Sequence, residues 1–475
     1  MAGVRYNKKK FLWEFFVVGN QVNSTDRVSL DKRAMTKEAI RMAWPAVLES
    51  FFVSLAGMID TMMVASMGSF AVAAVGLTTQ PKFIGLTPFF AINVAVSALV
   101  ARRKGEKKQK SANQVLLTAL AMAAVICIAV TFLSLVFADP IVRLAGSNDE
   151  THRSAVIYFR IIMGGTVFTM IQMLFNSAQR GSGNTLISMT TNVISSTVNI
   201  CFNYLLIGGH FGFPALGITG AAIATVLGSA VAAAISFGSL FKKTSYVSIP
   251  LMIKEKVRPL KEVFRSIIKL ASNMMVENFA MRIGFVTTAF IAARLGTDVF
   301  AAHNVGMNLL SLSFSFADGM QAAGVALTGQ ALGAKHKEEA KMYGSICQQI
   351  GMCISAVLAI LILLFSRQFF SFYFSEEHIL DMGVLIGRFL IFIVWAQIAQ
   401  IIYGACLRAA GDVRYALISS LVSCTLIRTL ATILLVNVLH MGLAGIWIGI
   451  MSDQVSRFIF MSIRFRQGKW VDIKI

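Results

Sequence analysis

The chain has 475 residues, of which 56% are hydrophobic and only 14% are charged, and its formal net charge is +20. A typical soluble domain carries about 25% charged residues, so this composition excludes an ordinary soluble enzyme and favours a membrane protein. The basic residues lie in alternate connections between apolar runs and not within readable nucleic-acid motifs. We therefore expect membrane lipids as partners and no nucleic acid.

Apolar runs long enough to cross a bilayer recur between residues 41 and 465, and we count twelve of them. Basic connections such as "ARRKGEKKQK" and "GAKHKEEAK" alternate with connections such as "SNDETHR" that carry little net positive charge. Under the positive-inside rule, this alternation places both termini in the cytoplasm. The basic and aromatic segment at residues 8–15 is expected to lie at the membrane surface as an anchor.

An internal repeat runs through the chain. Gly68 in "ASMGSFAVAAVG" corresponds to Gly296 in "ARLGTDVFAAHNVG", a shift of 228 positions. The same shift relates Gly105 to Gly333, Arg160 to Arg388, and Arg180 to Arg408. A constant shift across many landmarks indicates two related halves, and six spans in each half give both the same orientation. The sequence thus predicts an all-α polytopic membrane protein with twelve transmembrane helices, arranged as two six-helix bundles related by a parallel pseudo-twofold repeat.

The repeat divides the chain into parts. We expect a cytoplasmic N-terminal segment (1–38), an N-lobe of helices 1–6 (39–241), a cytoplasmic linker (242–263), a C-lobe of helices 7–12 (264–466) and a cytoplasmic tail (467–475). Pro250 and Pro259 lie in the linker, where they would interrupt a continuous helix. Secondary transporters use such a plan because two similar bundles can rock about a shared cavity.

One carboxylate, Asp60, lies in the apolar run "VSLAGMIDTMMVASMG" with no basic residue near it in the sequence. A charge at the bilayer centre costs about 2.5 to 3.5 kcal/mol on insertion scales, so such a residue usually faces a cavity or a partner. Burial favours the neutral carboxyl, which would let Asp60 take up a proton. The alternative is a structural carboxyl that holds two helices together.

A polar stripe follows in the fifth span. Asn192, Ser196, Asn199 and Asn203 are spaced by four, three and four residues, which places them on one face of a helix. Such a face must look into the bundle, either towards Asp60 or towards hydrogen-bonding partners on other helices.

Two further carboxylates, Glu49 and Glu277, are repeat mates near the cytoplasmic start of the first span of each half. They could hold an inner gate shut, and Glu277 could bind a cationic solute; solvated residues at a helix mouth are the alternative. The second half also carries charges without charged counterparts in the first half where the halves can be aligned, among them Arg282 and Asp318. This asymmetry suggests that the halves do different work.

The chain lacks the motifs GxxxxGK[ST], HExxH and GxSxG, so we expect no ATP-driven motor and no enzyme. Methionine and phenylalanine are abundant, with 24 and 36 residues. Their soft or flat side chains suit a pocket that accepts lipophilic compounds of many shapes.

The segments "WPAVLESFFVSLAGMIDTMMVASMG", "RGSGNT", "NICFNYLLI" and "LGITGAAIATVLG" together resemble the multidrug and toxic compound extrusion (MATE) family, within the multidrug/oligosaccharidyl-lipid/polysaccharide exporter superfamily. The resemblance covers nearly the whole chain. It implies an antiporter of the bacterial cytoplasmic membrane that exports lipophilic, often cationic drugs in exchange for protons or sodium by alternating access. We expect no bound cofactor and a monomer.

The resemblance also implies roles for single residues. Asp60 would be the central coupling residue, in an ion-coupling cluster with Asn199, Asn203 and Thr225 that could also bind sodium; no other metal site is expected. Pro45 matches a site where the first helix bends. The candidates for substrate binding or gating are Asn176, Gln172, Glu277 and Glu49. Gln397 stands where some members carry an acid, which argues against a coupling site there.

Other functions remain open. A flippase for lipid-linked oligosaccharide, from the same superfamily, would need a cationic cavity for pyrophosphate, and Arg282 and Arg428 keep this alternative in view. The major facilitator class shares the twelve-span parallel repeat, but its acidic-basic signature is absent from the second connection. A polytopic membrane enzyme or a channel is a more distant alternative.

Overall fold

The computed structural model describes residues 31–242 and 245–473, and the expected surface anchor at residues 8–15 lies outside them. These ranges form helices and connections, without a β-strand. The α-helices are α1 (Lys32–Ala65), α2 (Ser69–Gly105), α3 (Gln109–Val136), α4 (Ala138–Leu144), α5 (His152–Gly164), α6 (Thr166–Gly181), α7 (Thr185–Gly208), α8 (Ile218–Ser239), α9 (Ile249–Lys254), α10 (Lys261–Arg294), α11 (Thr297–Gly333), α12 (Lys337–Ser371), α13 (Glu377–Ala410), α14 (Val413–Ser420), α15 (Thr429–Ile433) and α16 (Gly442–Gln467). There are 3-10 turns at His210–Gly212 and Lys469–Asp472, and π-helical turns at Leu421–Arg428 and Leu434–Val438.

The first helix of each half begins earlier than the sequence boundaries suggest. Helix α1 begins at Lys32 because the Asp31 carboxylate accepts hydrogen bonds from the backbone N–H groups of Arg33 and Ala34, at 2.9 and 3.3 Å. It therefore includes residues that we had assigned to the N-terminal segment 1–38. Helix α10 begins at Lys261, shortly after Pro259 and inside the expected linker 242–263.

Eight of the described helical segments are long and apolar enough to cross a membrane. Seven are single helices, and the eighth is the run Val413–Val438, which joins α14, α15 and the two π-helical turns. A ninth candidate is the pair α5 and α6, which is bent by 44° at its break. Helices α7, α11 and α16 have comparable lengths of 24, 37 and 26 residues, and each carries polar residues within its apolar sequence. These three helices supply much of the polar interior described below.

The two halves of the chain meet along α1, α2, α10 and α11. Helix α1 packs against α7 of its own half and α11 of the other, while α2 packs against both α10 and α11. At the crossing of α2 and α11, a Cβ on Gly105 would overlap the Gln330 carbonyl, and a Cβ on Gly333 would overlap the Arg102 carbonyl. These contacts are reciprocal under the 228-residue shift, and only glycine permits so close an approach.

Further hydrogen bonds join the halves at this end of the bundle, where the basic connections lie. The Gln330 side chain donates to the Gly181 carbonyl at 3.1 Å, and the Arg102 guanidinium donates to the Ile473 carbonyl at 3.2 Å. The bundle is therefore closed between the halves at its basic end.

Substitution of Gly333 by Ala should force α2 and α11 apart. We expect a loss of about 1 to 3 kcal/mol of stability, the range for an overpacked contact. Thermal unfolding in detergent, followed by fluorescence-detected size exclusion, measures this loss. Gly238→Ala is the matched control, because it lies within α8 and an added Cβ there would meet no atom within 4 Å. Equal melting temperatures for the two variants would contradict the assignment.

Candidate functional site

A polar cluster lies within the first half of the chain. The Asp60 carboxylate on α1 accepts a hydrogen bond from the amide of Asn203 on α7. One turn earlier on α7, the Asn199 amide donates to the Thr225 hydroxyl on α8 at 3.2 Å. The structure thus brings together the four residues expected to couple ions, in two bonded pairs that share α7. We call these four residues the N-lobe cluster.

The N-lobe cluster contains one unused acceptor. Asn203 is fully buried, and its side-chain oxygen accepts no hydrogen bond from any described residue. A buried acceptor without a donor is costly, and it suits a partner that carries a proton or a positive charge. Among the described residues no group of three or more His, Cys, Asp or Glu could hold a metal ion. A sodium ion here would rely on carboxylate, amide and hydroxyl oxygens.

Sequence reasoning missed a basic neighbour of Asp60. Lys82 follows Pro81 in α2, and its ammonium group interacts electrostatically with the Asp60 carboxylate. The signal was available, because a single lysine in an apolar helix is costly and needs a partner. Asp60 has no basic neighbour in its own helix, but the fold brings one from the next helix.

A second polar cluster surrounds Glu49. This carboxylate is only 7% exposed and accepts hydrogen bonds from Arg180 at 3.1 Å, Ser188 at 3.2 Å and Asn192 at 2.5 Å. Arg180 also reaches the side-chain oxygen of Asn93 at 3.5 Å. The alternative of a solvated glutamate at a helix mouth is therefore wrong, because Glu49 is buried and paired.

The second half repeats this arrangement. Glu277, only 4% exposed, accepts hydrogen bonds from Arg408 at 2.6 Å and from Ser420 at 2.9 Å. Arg408 also donates to the side-chain oxygen of Gln321 at 3.3 Å. The solvated alternative is wrong for Glu277 as well. Each of the four residues corresponds to the residue 228 positions earlier in the first half. Glu277 corresponds to Glu49, Arg408 to Arg180, Ser420 to Asn192 and Gln321 to Asn93.

The Glu49 cluster and the Glu277 cluster face one cavity of about 560 Å³ between the halves of the chain. The four residues expected to bind substrate or to gate it line this cavity, and they are Gln172, Asn176, Glu49 and Glu277. Gln172 donates a hydrogen bond to Asn192, and Asn176 accepts one from Ser236 at 2.8 Å. We call this space the central cavity. Neither Asp60 nor the other members of the N-lobe cluster line it.

The polar residues along α7 therefore belong to two different sites. Asn192 lies at the central cavity, whereas Asn199 and Asn203 belong to the N-lobe cluster. Pro45 lies inside α1, one turn before Glu49, and its ring removes a hydrogen bond from the helix there. Gln397 is fully buried in α13, and neither atom of its amide group has a hydrogen-bond partner among the described residues.

Sequence analysis did not foresee an ionic cluster in the second half. Arg457 donates two hydrogen bonds to its neighbour Asp453 on α16, at 2.9 and 2.7 Å, and Arg428 approaches the same carboxylate at 3.6 Å. Asp453 and Arg428 are fully buried, and Arg428 also donates to the Thr288 hydroxyl at 3.1 Å. The i, i+4 spacing of Asp453 and Arg457 was a readable signal.

Replacement of Asp453 by Asn should leave two buried guanidinium groups without a counter-charge. Breaking a buried pair in this way costs about 3 to 5 kcal/mol, so we expect poor thermal stability in detergent. The matched control is Asp381→Asn, which removes an exposed partner of Arg367 at 3.5 Å. An exposed pair contributes only about 0 to 1 kcal/mol. Similar melting temperatures for the two variants would show that the cluster does not stabilise the fold.

Comparison with known proteins identifies the fold and the family. A solved MATE structure in complex with MaL6 superposes with a TM-score of 0.84 at 24% identity, covering 92% of this chain and 97% of that chain. An outward-facing multidrug resistance MATE transporter of the MOP superfamily gives a TM-score of 0.84 at 22% identity, covering 94% and 100%. The probable multidrug resistance protein NorM of Thermotoga maritima is 29% identical, over 91% of this chain and 93% of its own length.

The fold is thus that of polytopic membrane transporters. The MatE family model matches residues 45–205 and again residues 274–434, and the chain therefore belongs to the MATE family. Members of this family are transporters and not enzymes, which supports the expectation that the chain has no enzymatic activity.

Proposed function

We propose that this protein is a secondary active multidrug efflux antiporter, which exports lipophilic, often cationic compounds in exchange for protons or sodium by alternating access. One observation carries the proposal: the polar cluster around the Asp60 carboxylate and the central cavity are separate but share α1 and α7. The eleven residues from Glu49 to Asp60 correspond to about 16 Å along a helix. The name of the Thermotoga maritima relative as a probable multidrug resistance protein supports the same function.

The proposed architecture has twelve spans in two six-helix lobes. Eight apolar helical segments and the bent pair account for nine spans, and we assign the others to α7, α11 and α16, whose polar residues face partners inside the bundle. The two family matches and the mirrored Glu–Arg pairs support a parallel repeat. We place both termini in the cytoplasm of a bacterium, in line with the basic connections.

The proposed coupling acts through two levels of contact between α1 and α7. Asn192 holds Glu49 at the cavity, and Asn203 holds Asp60 at the N-lobe cluster. A proton or a sodium ion on Asp60 neutralises the carboxylate, which weakens its interactions with Asn203 and Lys82. Helix α1 can then shift against α7, and Pro45 supplies a weak point in the helix next to the cavity.

The central cavity has the surface that such a transporter needs. Its apolar lining includes Met173, Met274, Met281 and Phe314, which offer polarisable and flat surfaces to compounds of different shapes. Amide side chains beside them can form hydrogen bonds with polar groups. The proposed partners are small drugs and membrane lipids, for a monomer without a bound cofactor.

The flippase alternative has less support. A cavity for pyrophosphate needs cationic groups that are free to bind it, but Arg180, Arg408 and Arg457 each form an ion pair with a carboxylate. The two arginines that kept this alternative open do not line the cavity. Arg428 is buried in the ionic cluster, and Arg282 stacks over the ring of Phe83 at 5.3 Å from its centroid.

The experiment that tests the proposal is ethidium uptake into inside-out vesicles of a pump-deficient bacterium, driven by a proton gradient or a sodium gradient in turn. We expect one gradient to drive uptake by the unaltered protein, which identifies the coupling ion. Asp60→Asn should reduce uptake to the level of vesicles without the protein, because an amide cannot take up the ion.

Asp298→Asn is the matched control, since it replaces an exposed carboxylate that pairs with His378 at 2.9 Å. This variant should retain uptake. Normal uptake by Asp60→Asn at equal expression would refute the coupling role, and an absence of uptake with either gradient would refute drug antiport for this probe.

A further inference from the structure

The charged side chains that line the central cavity are almost all paired. Glu49 pairs with Arg180 at 3.1 Å, and Glu277 pairs with Arg408 at 2.6 Å. The third arginine of the lining, Arg457, forms an ion pair with Asp453 at 2.7 Å. A guanidinium with a bonded carboxylate has little net attraction for a solute. The lining contains three carboxylates and three guanidinium groups, and these pairs neutralise all of them except one carboxylate.

One lining carboxylate has no such partner. Asp318 on α11 is exposed to the cavity, and no basic nitrogen of the described residues lies within 4.0 Å of it. Its bonded neighbour is the Gln321 amide at 3.5 Å. Arg180 and Arg408 act on Asp318 only over a longer range, and each already holds a glutamate.

The position of Asp318 is fixed by close packing between the halves. The next residue, Gly319, lies so near α1 that an added Cβ would be 2.5 Å from the Cα of Val47. One turn earlier, the Ser315 hydroxyl bonds to the Ser54 hydroxyl of α1 at 2.5 Å. The carboxylate is therefore held at the junction of the halves, opposite the part of α1 that carries Glu49.

Apolar side chains line the same cavity as this carboxylate. Phe314 lies one turn before Asp318 on the same helix, and Phe90 and Met281 line the same cavity. The residue that corresponds to Asp318 in the first half is Phe90, so the repeat does not supply a second carboxylate here. The cavity thus offers one unpaired negative group together with aromatic and methionine surfaces, which attract a cation and its apolar substituents.

We propose that Asp318 binds the cationic group of the transported compound, so that the central cavity selects lipophilic cations with a single positive charge. This inference rests on the proposed function and adds the residue that determines charge selectivity. It places substrate charge recognition on α11, apart from Asp60 on α1.

The test is equilibrium binding to the purified full-length protein in detergent, with two fluorescent probes. Ethidium is a lipophilic cation, and N-phenyl-1-naphthylamine is an uncharged lipophilic compound. Asp318→Asn keeps the size of the side chain and removes its charge. We expect its affinity for ethidium to fall about tenfold or more, while its affinity for the uncharged probe changes by less than about twofold. Asp318→Glu should retain ethidium binding.

Three results would overturn the proposal. These are an unchanged ethidium affinity in Asp318→Asn, an equal loss of affinity for both probes in this variant, and an absence of ethidium binding to the unaltered protein. An equal loss would show a structural role, and the melting temperature of the variant checks its folding. Because binding is measured without an ion gradient, its result can be interpreted even if the protein does not carry out antiport.

A charge-relocation variant provides a second test. Phe90 occupies the corresponding position on α2, so Phe90→Asp combined with Asp318→Asn returns a carboxylate to the same cavity from the other half. We expect this double variant to recover at least part of the ethidium affinity that Asp318→Asn loses. No recovery in a folded double variant would contradict charge recognition.

Discussion

A carboxylate inside an apolar helix needs a cationic or hydrogen-bonding partner, and this requirement organises the interior of the protein. Glu49 and Glu277 meet it through arginines from later helices, and the same arrangement occurs in both halves. These ion pairs join the first helix of each half to the helix that carries its arginine.

The N-lobe cluster and the central cavity differ in what they can bind. In the N-lobe cluster, Asp60 is held by the Asn203 amide and by the charge of Lys82, both from the same half of the chain. The central cavity lies between the halves and is large enough for a drug-sized compound. Their separation lets a small ion and a large solute bind at different positions on the same helix pair. Coupling then requires only that one site changes how α1 and α7 pack.

The sequence was informative where a pattern had a single physical meaning. The constant shift of 228 residues matched Gly105 with Gly333 and Arg180 with Arg408, and the structure places these mates in equivalent positions, as expected of a repeat. The Glu–Arg contacts themselves were not predicted. The N-lobe cluster was predicted from a resemblance and from the spacing of the amides on α7. Its geometry confirms that these residues lie together, while their role stays a prediction.

Other features depend on how the helices pack in three dimensions and could not be predicted from the sequence. Lys82 lies 22 positions after Asp60, and nothing in the sequence shows that α2 folds back to place its charge near α1. Arg428 and Asp453 belong to different helices, so their approach depends on how α16 packs against the π-helical turns at Leu421–Arg428. The helix starts at Lys32 and Lys261 were missed because polar helical turns extend beyond the apolar runs that marked the spans.

The central claim is that ion coupling and solute binding occupy different places. It is tested most directly by equilibrium binding of ethidium to purified Asp60→Asn protein, compared with gradient-driven transport by the same variant. The account predicts that the variant binds ethidium with nearly the affinity of the unaltered protein but transports none. Loss of binding together with transport, in a folded variant, would show that Asp60 belongs to the solute site and would contradict the account.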